Sequence, residues 1–351
     1  MDWFAERLLD WHDVHGRHDL PWQQNKSPYR VWISEIMLQQ TQVTTVIPYF
    51  QKFMARFPNV KALANADLDE VLHHWTGLGY YARARNMHAA AKEVQQTGAF
   101  PDNASDLEAL PGIGRTTAAA ILAIAFDQPT AILDGNVKRV LCRFHAIEGD
   151  PTNKEVEAQL WNQASLHMPD QRTGTYTQAI MDLGATLCKR QPECINCPLV
   201  DQCSAFAQGR VADFPARKLK KTKPVRSARL FVITTPDGAC LLEQRPPSGI
   251  WGSLWTPPQR TTSTSPDEVC LEFGIHFDDV HSSHRAPTFR HTFTHYHLDI
   301  EPLYLHLTRH PQMSADHDRL VWYHRGLNQS LGLSAVAVKL LASVDEQFEL
   351  K

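Results

Sequence analysis

Leu110-Pro111-Gly112-Ile113-Gly114 opens directly onto Arg115-Thr116-Thr117-Ala118-Ala119-Ala120-Ile121-Leu122-Ala123, a glycine turn followed by an alanine-rich helical run. Two glycines two residues apart let the backbone turn sharply and leave bare amides at a helix N-terminus. Those amides and the positive end of the helix dipole favour an anionic oxygen such as that of a phosphate. Glycine at a helix–helix turn also serves simple close packing, so the turn alone leaves both readings open. What would separate them is a reactive group at a fixed distance. Twenty residues beyond Gly114, after the short Asp127-Gln128-Pro129 turn, Asp134 stands in Ile132-Leu133-Asp134-Gly135-Asn136-Val137-Lys138-Arg139. Aspartate there is a favoured helix N-cap. Held by backbone amides, the same carboxylate is rigid and ionised, and suited to face a developing cation.

Outward from this core, residues 1 to about 209 keep apolar side chains at three- and four-residue intervals, as in Phe4, Leu8, Leu9 and Trp11. That spacing predicts a domain that is helical almost throughout. Within it, Val31-Trp32-Ile33-Ser34-Glu35-Ile36-Met37-Leu38-Gln39-Gln40-Thr41-Gln42 sets a single carboxylate among apolar neighbours. On a surface Glu35 would be unremarkable; buried, its pKa would rise and suit it to donate a proton. Seven cysteines include three isolated ones, Cys142, Cys240 and Cys270, and a cluster of Cys188, Cys194, Cys197 and Cys203 within sixteen residues. An odd total with one tight cluster is a poor disulfide framework and a good metal site, which implies a reducing compartment. Zinc, an iron–sulfur cluster and free thiols all remain open at this point.

The 43% hydrophobic and 21% charged fractions of the 351 residues exclude a disordered tail. A formal net charge of −3 excludes a chain that is basic all over, but not one with a local basic face for nucleic acid. No apolar run is long enough to span a bilayer and no export signal opens the chain, so a cytoplasmic protein is expected. After residue 209 the composition changes. Phe214 to Pro224 is Lys-rich, bounded by prolines and without apolar period, and reads as part of a basic linker over 210–228. Beyond it, 229–234 and 239–242 flank Pro236-Asp237-Gly238 as two strands around a tight turn. A strand is expected over 297–305 and a helix over 333–341, which makes 229–351 an α+β domain.

A glycine hairpin, a Gly/Pro-rich turn and then an aspartate resemble the superfamily of helix–hairpin–helix DNA glycosylases. Within it the chain is similar to the MutY-type adenine DNA glycosylases. The resemblance implies an all-α helix–hairpin–helix glycosylase domain with an iron–sulfur loop, followed by an α+β MutT-like (Nudix-like) domain. It gives Asp134 the role of stabilising an oxocarbenium-like sugar and Glu35 that of protonating adenine, and it implies a nucleoid-associated bacterial protein; Asn136, two residues from Asp134, is expected to orient Asp134 or the attacking water. Thr116 stands where the endonuclease III branch carries its lysine nucleophile. Base removal without a Schiff-base strand cut is therefore expected. Gln39 and Gln40 map to a segment that wedges into the duplex, and Gly77-Leu78-Gly79-Tyr80-Tyr81 to a loop whose tyrosine, Tyr80, intercalates at the lesion. A core aromatic is the competing reading of Tyr80.

The cysteine loop resembles the 4Fe–4S loop of the same family, with Cys188, Cys194, Cys197 and Cys203 as ligands, though five residues stand in its first interval where the family pattern usually has six. Lys189 and Arg190 on that loop, Lys138, and the hairpin at Gly112 and Gly114 are expected at phosphates. Gly249-Ile250-Trp251-Gly252-Ser253-Leu254-Trp255-Thr256-Pro257 is the clearest match to the MutT-like domain. The acidic helix of a working MutT hydrolase is missing from 265–274, so no pyrophosphatase activity is expected. Phe293-Thr294-His295 stands where the family reads 8-oxoguanine through a Phe-Ser-His loop, and keeps a hydroxyl. The histidines at 281, 284, 291, 295 and 297 are too irregularly spaced to be read as metal ligands. The expected partner is duplex DNA containing an adenine mispair, bound by a monomer away from any membrane. The rivals are an endonuclease III-like glycosylase/lyase and a non-catalytic lesion sensor.

Overall fold

The computed structural model describes residues 2–216, 222–311, 319–324, 327 and 329–349. Lys218, Lys220 and Lys221 of the basic linker lie outside the described residues. Contacts divide the chain into two compact units, Met1–Asn65 with Asn86–Lys220 and Ala66–Arg85 with Lys221–Lys351.

The first unit is all helical, as its periodicity requires. In chain order come α1 (Trp3–His15), α2 (Pro28–Leu38), α3 (Val43–Arg56), α4 (Val60–Ala64) and, in the second unit, α5 (Leu68–Trp75). There follow α6 (Ala82–Thr97), α7 (Ala104–Ala109), α8 (Arg115–Phe126), α9 (Gly135–Phe144), α10 (Lys154–Leu166), α11 (Thr173–Thr186) and the single-turn α12 (Ser204–Ala207). Short polar side chains start the helices by accepting otherwise orphaned amides. Asp2 takes the Ala5 N–H, Ser27 that of Arg30 with Pro28 at the first helical position, and Asn103 that of Asp106. Helix α8 is apolar on nearly every side because it is central: Thr117 to Ala123 are all buried, and α2, α7 and α11 pack on it. A second core joins Phe4, Leu8 and Leu9 of α1 to Val137, Val140 and Leu141 of α9 and Ile180 and Leu183 of α11.

Among the described residues the second unit holds α5 and an eight-stranded sheet. Its strands are β1 (Val225–Thr234), β2 (Cys240–Gln244), β3 (Trp255–Thr256), β4 (Gln259–Arg260), β5 (Val280–Arg285), β6 (Phe289–Thr292), β7 (His297–Leu307) and β8 (Leu320–Tyr323). β1 and β2 pair antiparallel around the expected turn, with Thr234 opposite Cys240. β1 also runs parallel to β7 over its whole length, from Val225 opposite His297 to Thr234 opposite His306. A helix, α13 (Pro266–Glu272), packs Val269 and Cys270 against Phe231, Ile233 and Leu305 of the sheet. The C-terminal helix α14 runs Ala335–Glu349.

Candidate active site

A cavity of about 660 Å³ opens between α2, α8, α9 and α11, and Glu35, Gln39, Gln40, Thr116, Asp134 and Asn136 all line it. Glu35 lies on α2, whose remaining turns are pinned in the core by Val31, Trp32, Ile33 and Ile36. Its side chain is thereby held among protein atoms, and burial raises its pKa to about 7, with the facing Asp134 carboxylate adding a smaller push. Near neutral pH this carboxyl holds a proton it can give up.

Asp134 is the N-cap of α9. Its Oδ1 accepts the Val137 N–H at 2.7 Å and its Oδ2 the Asn136 Nδ2 at 3.0 Å. Burial pushes its pKa up, while those hydrogen bonds and Arg139 pull the other way. Capping and charge placement are here one feature, because the amides that start α9 are those that hold the carboxylate rigid. Asn136 is held in turn: Arg139 Nη2 donates to Asn136 Oδ1 at 2.8 Å and to Gly184 O at 2.6 Å. Arg139 Nε donates to Cys188 O at 2.7 Å, so one guanidinium joins the Asp134 cap to the cysteine loop.

Gln39 ends α2 and donates to Thr117 Oγ1 at 3.3 Å; Gln40 beside it is exposed and left-handed, at φ +56°. Gly112 and Gly114 are exposed on the hairpin between α7 and α8. Gly112 must be glycine: its φ is +78°, and a Cβ there would lie 2.8 Å from Asn86 Cβ. Lys138, expected at a phosphate, gives its ammonium to Glu157 Oε1 at 2.6 Å, and Lys189 pairs with Glu193. Arg190 is exposed beside it.

Cys188, Cys194, Cys197 and Cys203 line one common cavity. Arg143, itself buried, donates to Cys188 Sγ at 3.4 Å and to Lys189 O at 2.7 Å. Among the described residues no three His, Cys, Asp or Glu side chains gather around a point that would hold a single ion.

In the second unit Tyr80 is 47% exposed, left-handed at φ +48°, and follows Gly79 at φ +73°. Arg83 lies over its ring at 5.5 Å. Phe293, Thr294 and His295 form the turn between β6 and β7, closed by the Phe293 N–H to Tyr296 O at 2.9 Å. Thr294 and His295 are exposed and bonded to each other, and Phe293 packs against Trp251 at 5.4 Å. Two of the three acidic residues of α13 have structural partners: Glu268 closes a capping box with Ser265, and Glu272 pairs with Arg260.

Sequence reasoning missed Arg17, Trp22, Arg139 and Gln178, all of which line the cavity. Two of these carried a local signal. Arg139 is three residues from Asn136 on α9, and Gln178 is four from Asp182 on α11, spacings that put side chains on one helix face. Arg17 meets Asp182 across 165 residues, which no local pattern reports.

The chain matches the family model for HhH-GPD superfamily base excision DNA repair proteins over residues 33–165, and that for NUDIX domains over 229–343. It is 37% identical over 341 residues to the adenine DNA glycosylase of Buchnera aphidicola subsp. Acyrthosiphon pisum, covering 96% of each chain. It is 38% identical to the adenine DNA glycosylase of Homo sapiens, over 75% of this chain and 58% of that one. Among solved structures, a thermostable thymine-DNA glycosylase superposes with a TM-score of 0.54 at 26% identity, over 58% of this chain and 95% of the other. An endonuclease III–DNA complex, at 0.50 and 19% over 59% and 95%, shares the fold.

Proposed function

This chain belongs to the adenine DNA glycosylase family, and from that membership we propose that it hydrolyses the N-glycosidic bond of adenine mispaired with 8-oxoguanine or guanine in duplex DNA. It is a DNA glycosylase of base-excision repair. The observation that carries the mechanism is one cavity lined by a carboxyl raised to about 7 and by a second, amide-held carboxylate.

The adenine is extruded from the stack into that cavity, since its glycosidic bond is out of reach within the duplex. Glu35 gives its proton to the adenine ring, which turns a poor leaving group into a neutral one. As the bond breaks, positive charge grows on the sugar and Asp134 faces it, already oriented by Val137 N and Asn136 Nδ2. Asn136 orients Asp134, and water adds to the sugar cation, releasing a proton that restores the Glu35 carboxyl. Thr116 offers no amine for a Schiff base, which supports base removal without strand cutting.

DNA is held by the bare hairpin amides at Gly112 and Gly114, by Arg190 and Lys189 on the cysteine loop, and by Lys138 once it exchanges Glu157 for a phosphate. Gln39, Gln40 and Tyr80 are the proposed wedge. Phe293, Thr294 and His295 are the proposed readers of the opposing base. The proposed organisation is a glycosylase domain over 1–209, a linker over 210–228 and a lesion-recognition domain over 229–351, acting as a monomer on DNA in a reducing, cytoplasmic compartment.

Cys188, Cys194, Cys197 and Cys203 would hold a 4Fe–4S cluster. Four cysteines around one cavity match a cluster that takes one thiolate per iron. The shared cavity and the buried Arg143 guanidinium beside Cys188 fit such an anionic group. When bound, it staples the loop that carries Lys189 and Arg190.

The test is a labelled duplex with adenine opposite 8-oxoguanine, followed by alkali. Cleavage of the adenine strand only after alkali, lost in Glu35→Gln and Asp134→Asn, is the expected result. Cleavage without alkali would overturn it in favour of a lyase, and tight binding without cleavage in favour of a sensor.

A further inference from the structure

Residues 66–85 fall inside the stretch matched by the helical family model, yet they cluster with 221–351. Named side chains do this. Trp255 Nε1 donates to Asp69 Oδ1 at 3.0 Å, and His73 Nδ1 lies 3.3 Å from Leu331 O. Gly332 sits so close to α5 that a Cβ on it would overlap Leu72 Cβ.

Two further bonds reach the loop that presents Tyr80. The buried Tyr81 hydroxyl accepts the Gly77 N–H at 3.3 Å and donates to Leu333 O at 3.2 Å, bracing both ends of that loop. Leu333 belongs to a segment pinned to Trp255, through Trp255 N to Gly332 O at 2.8 Å and Ser334 N to Trp255 O at 3.2 Å. Arg85 Nη1, one turn further on, donates to Gly252 O at 2.7 Å. Gly252 follows Trp251, which is left-handed at φ +57° and packs its ring on Phe293 and His291 at 5.4 and 5.7 Å. A contiguous run of contacts thus leads from the Tyr80 loop through Arg85, Gly252 and Trp251 to the Phe293 turn.

We propose that Tyr81 and Arg85 are positioning residues that couple Tyr80 to the Phe293–His295 turn, so that the base read by that turn sets how Tyr80 is presented to the adenine strand. The proposal rests on the roles given above to Tyr80 and to Phe293–His295. A left-handed tyrosine is strained on its own, and the two glycines before it, Gly77 and Gly79, impose no single arrangement on the loop. An outside tether therefore decides it. Opposite 8-oxoguanine the turn is engaged and the tether holds the loop in place for extrusion; opposite guanine it is not, and the tether contributes nothing.

The experiment measures single-turnover adenine excision opposite 8-oxoguanine and opposite guanine in the full-length protein. The variants are Tyr81→Phe, Arg85→Met, Arg85→Lys, Phe293→Ala and the double variant Arg85→Met/Phe293→Ala. Tyr81→Phe and Arg85→Met are expected to cut the preference for 8-oxoguanine about threefold or more, within the range of coupling between contacting residues, while the rate opposite guanine stays within about twofold. Arg85→Lys keeps a donor and should restore part of the preference. The double variant should be little worse than Phe293→Ala alone, because both lesions break one linkage.

Equal losses on both duplexes, or losses that simply add, would overturn the coupling and leave Tyr81 and Arg85 with a merely structural role. Preference lost in Phe293→Ala but intact in Tyr81→Phe and Arg85→Met overturns the coupling alone. A wild-type protein without preference, or a Phe293→Ala variant that keeps it, overturns the reading of the turn and the coupling with it.

Discussion

Glu35→Gln removes one proton site and nearly no volume, and it should change activity and stability in opposite directions. Glu35 has its pKa raised by burial, and secondarily by Asp134, from 4.5 to about 7. Between those values the folded chain binds a proton that the unfolded chain has released, so stability falls as pH rises through the window and levels off above 7. At about 1.36 kcal/mol per pH unit, the part of the window between pH 5.5 and 7 corresponds to about 2 kcal/mol. Glutamine carries no such dependence. Urea unfolding of both proteins should therefore show Glu35→Gln gaining about 2 kcal/mol on the wild type between pH 5.5 and pH 8. Referencing to the variant cancels the titrating groups that do not interact with position 35, Asp134 being the one that does. Over the same range wild-type excision should decline roughly tenfold per pH unit above 7, as Glu35 loses the proton it must donate, while the variant stays inactive throughout. A flat rate between pH 6.5 and 9, together with a stability offset that does not change with pH, would refute a high-pKa acid at position 35.

Asp134→Asn keeps an oxygen to cap α9 but loses the charge facing the sugar, so excision should fall by about 10²–10³-fold with little change in unfolding midpoint; Asp134→Ala should in addition lose about 1 kcal/mol of stability with the cap. Gly112→Ala places a Cβ against Asn86 in a left-handed residue and should cost about 1–2 kcal/mol, with DNA binding weakened alike on matched and mismatched duplexes. Cys197→Ser should lower the iron content of purified protein and raise the Kd for DNA through the loop bearing Lys189 and Arg190; unchanged iron would remove Cys197 from the ligand set. Arg139→Met breaks the link from Asn136 to Cys188 O and should lower the excision rate at saturating enzyme, whereas a change confined to DNA affinity would place Arg139 outside the Asp134 scaffold.

Much of the molecule is legible locally. The glycine turn before α8, the aspartate that starts α9, the proline-led start of α2 and the two strands around Pro236-Asp237-Gly238 each follow from backbone preferences confined to a few adjacent residues. Glu35 and Asp134 stood out by setting and spacing, and the four clustered cysteines by count. The sequence by itself therefore determined where helices begin, where the chain changes class and which side chains could carry chemistry.

Tertiary structure decided the rest, because desolvation and proximity are sums over atoms that are distant along the chain. Glu35 is an acid near neutral pH only since α2 is buried against α8 and Asp134 faces it. Arg17 reaches Asp182, and Arg139 reaches Cys188, over separations that no 3.6-residue period encodes. The parallel pairing of β1 with β7 joins strands more than sixty residues apart. The grouping of residues 66–85 with 221–351 likewise depends on Trp255, Gly332 and Leu333 meeting α5 and Tyr81, and no window short enough to show a periodic pattern contains both sides of that contact.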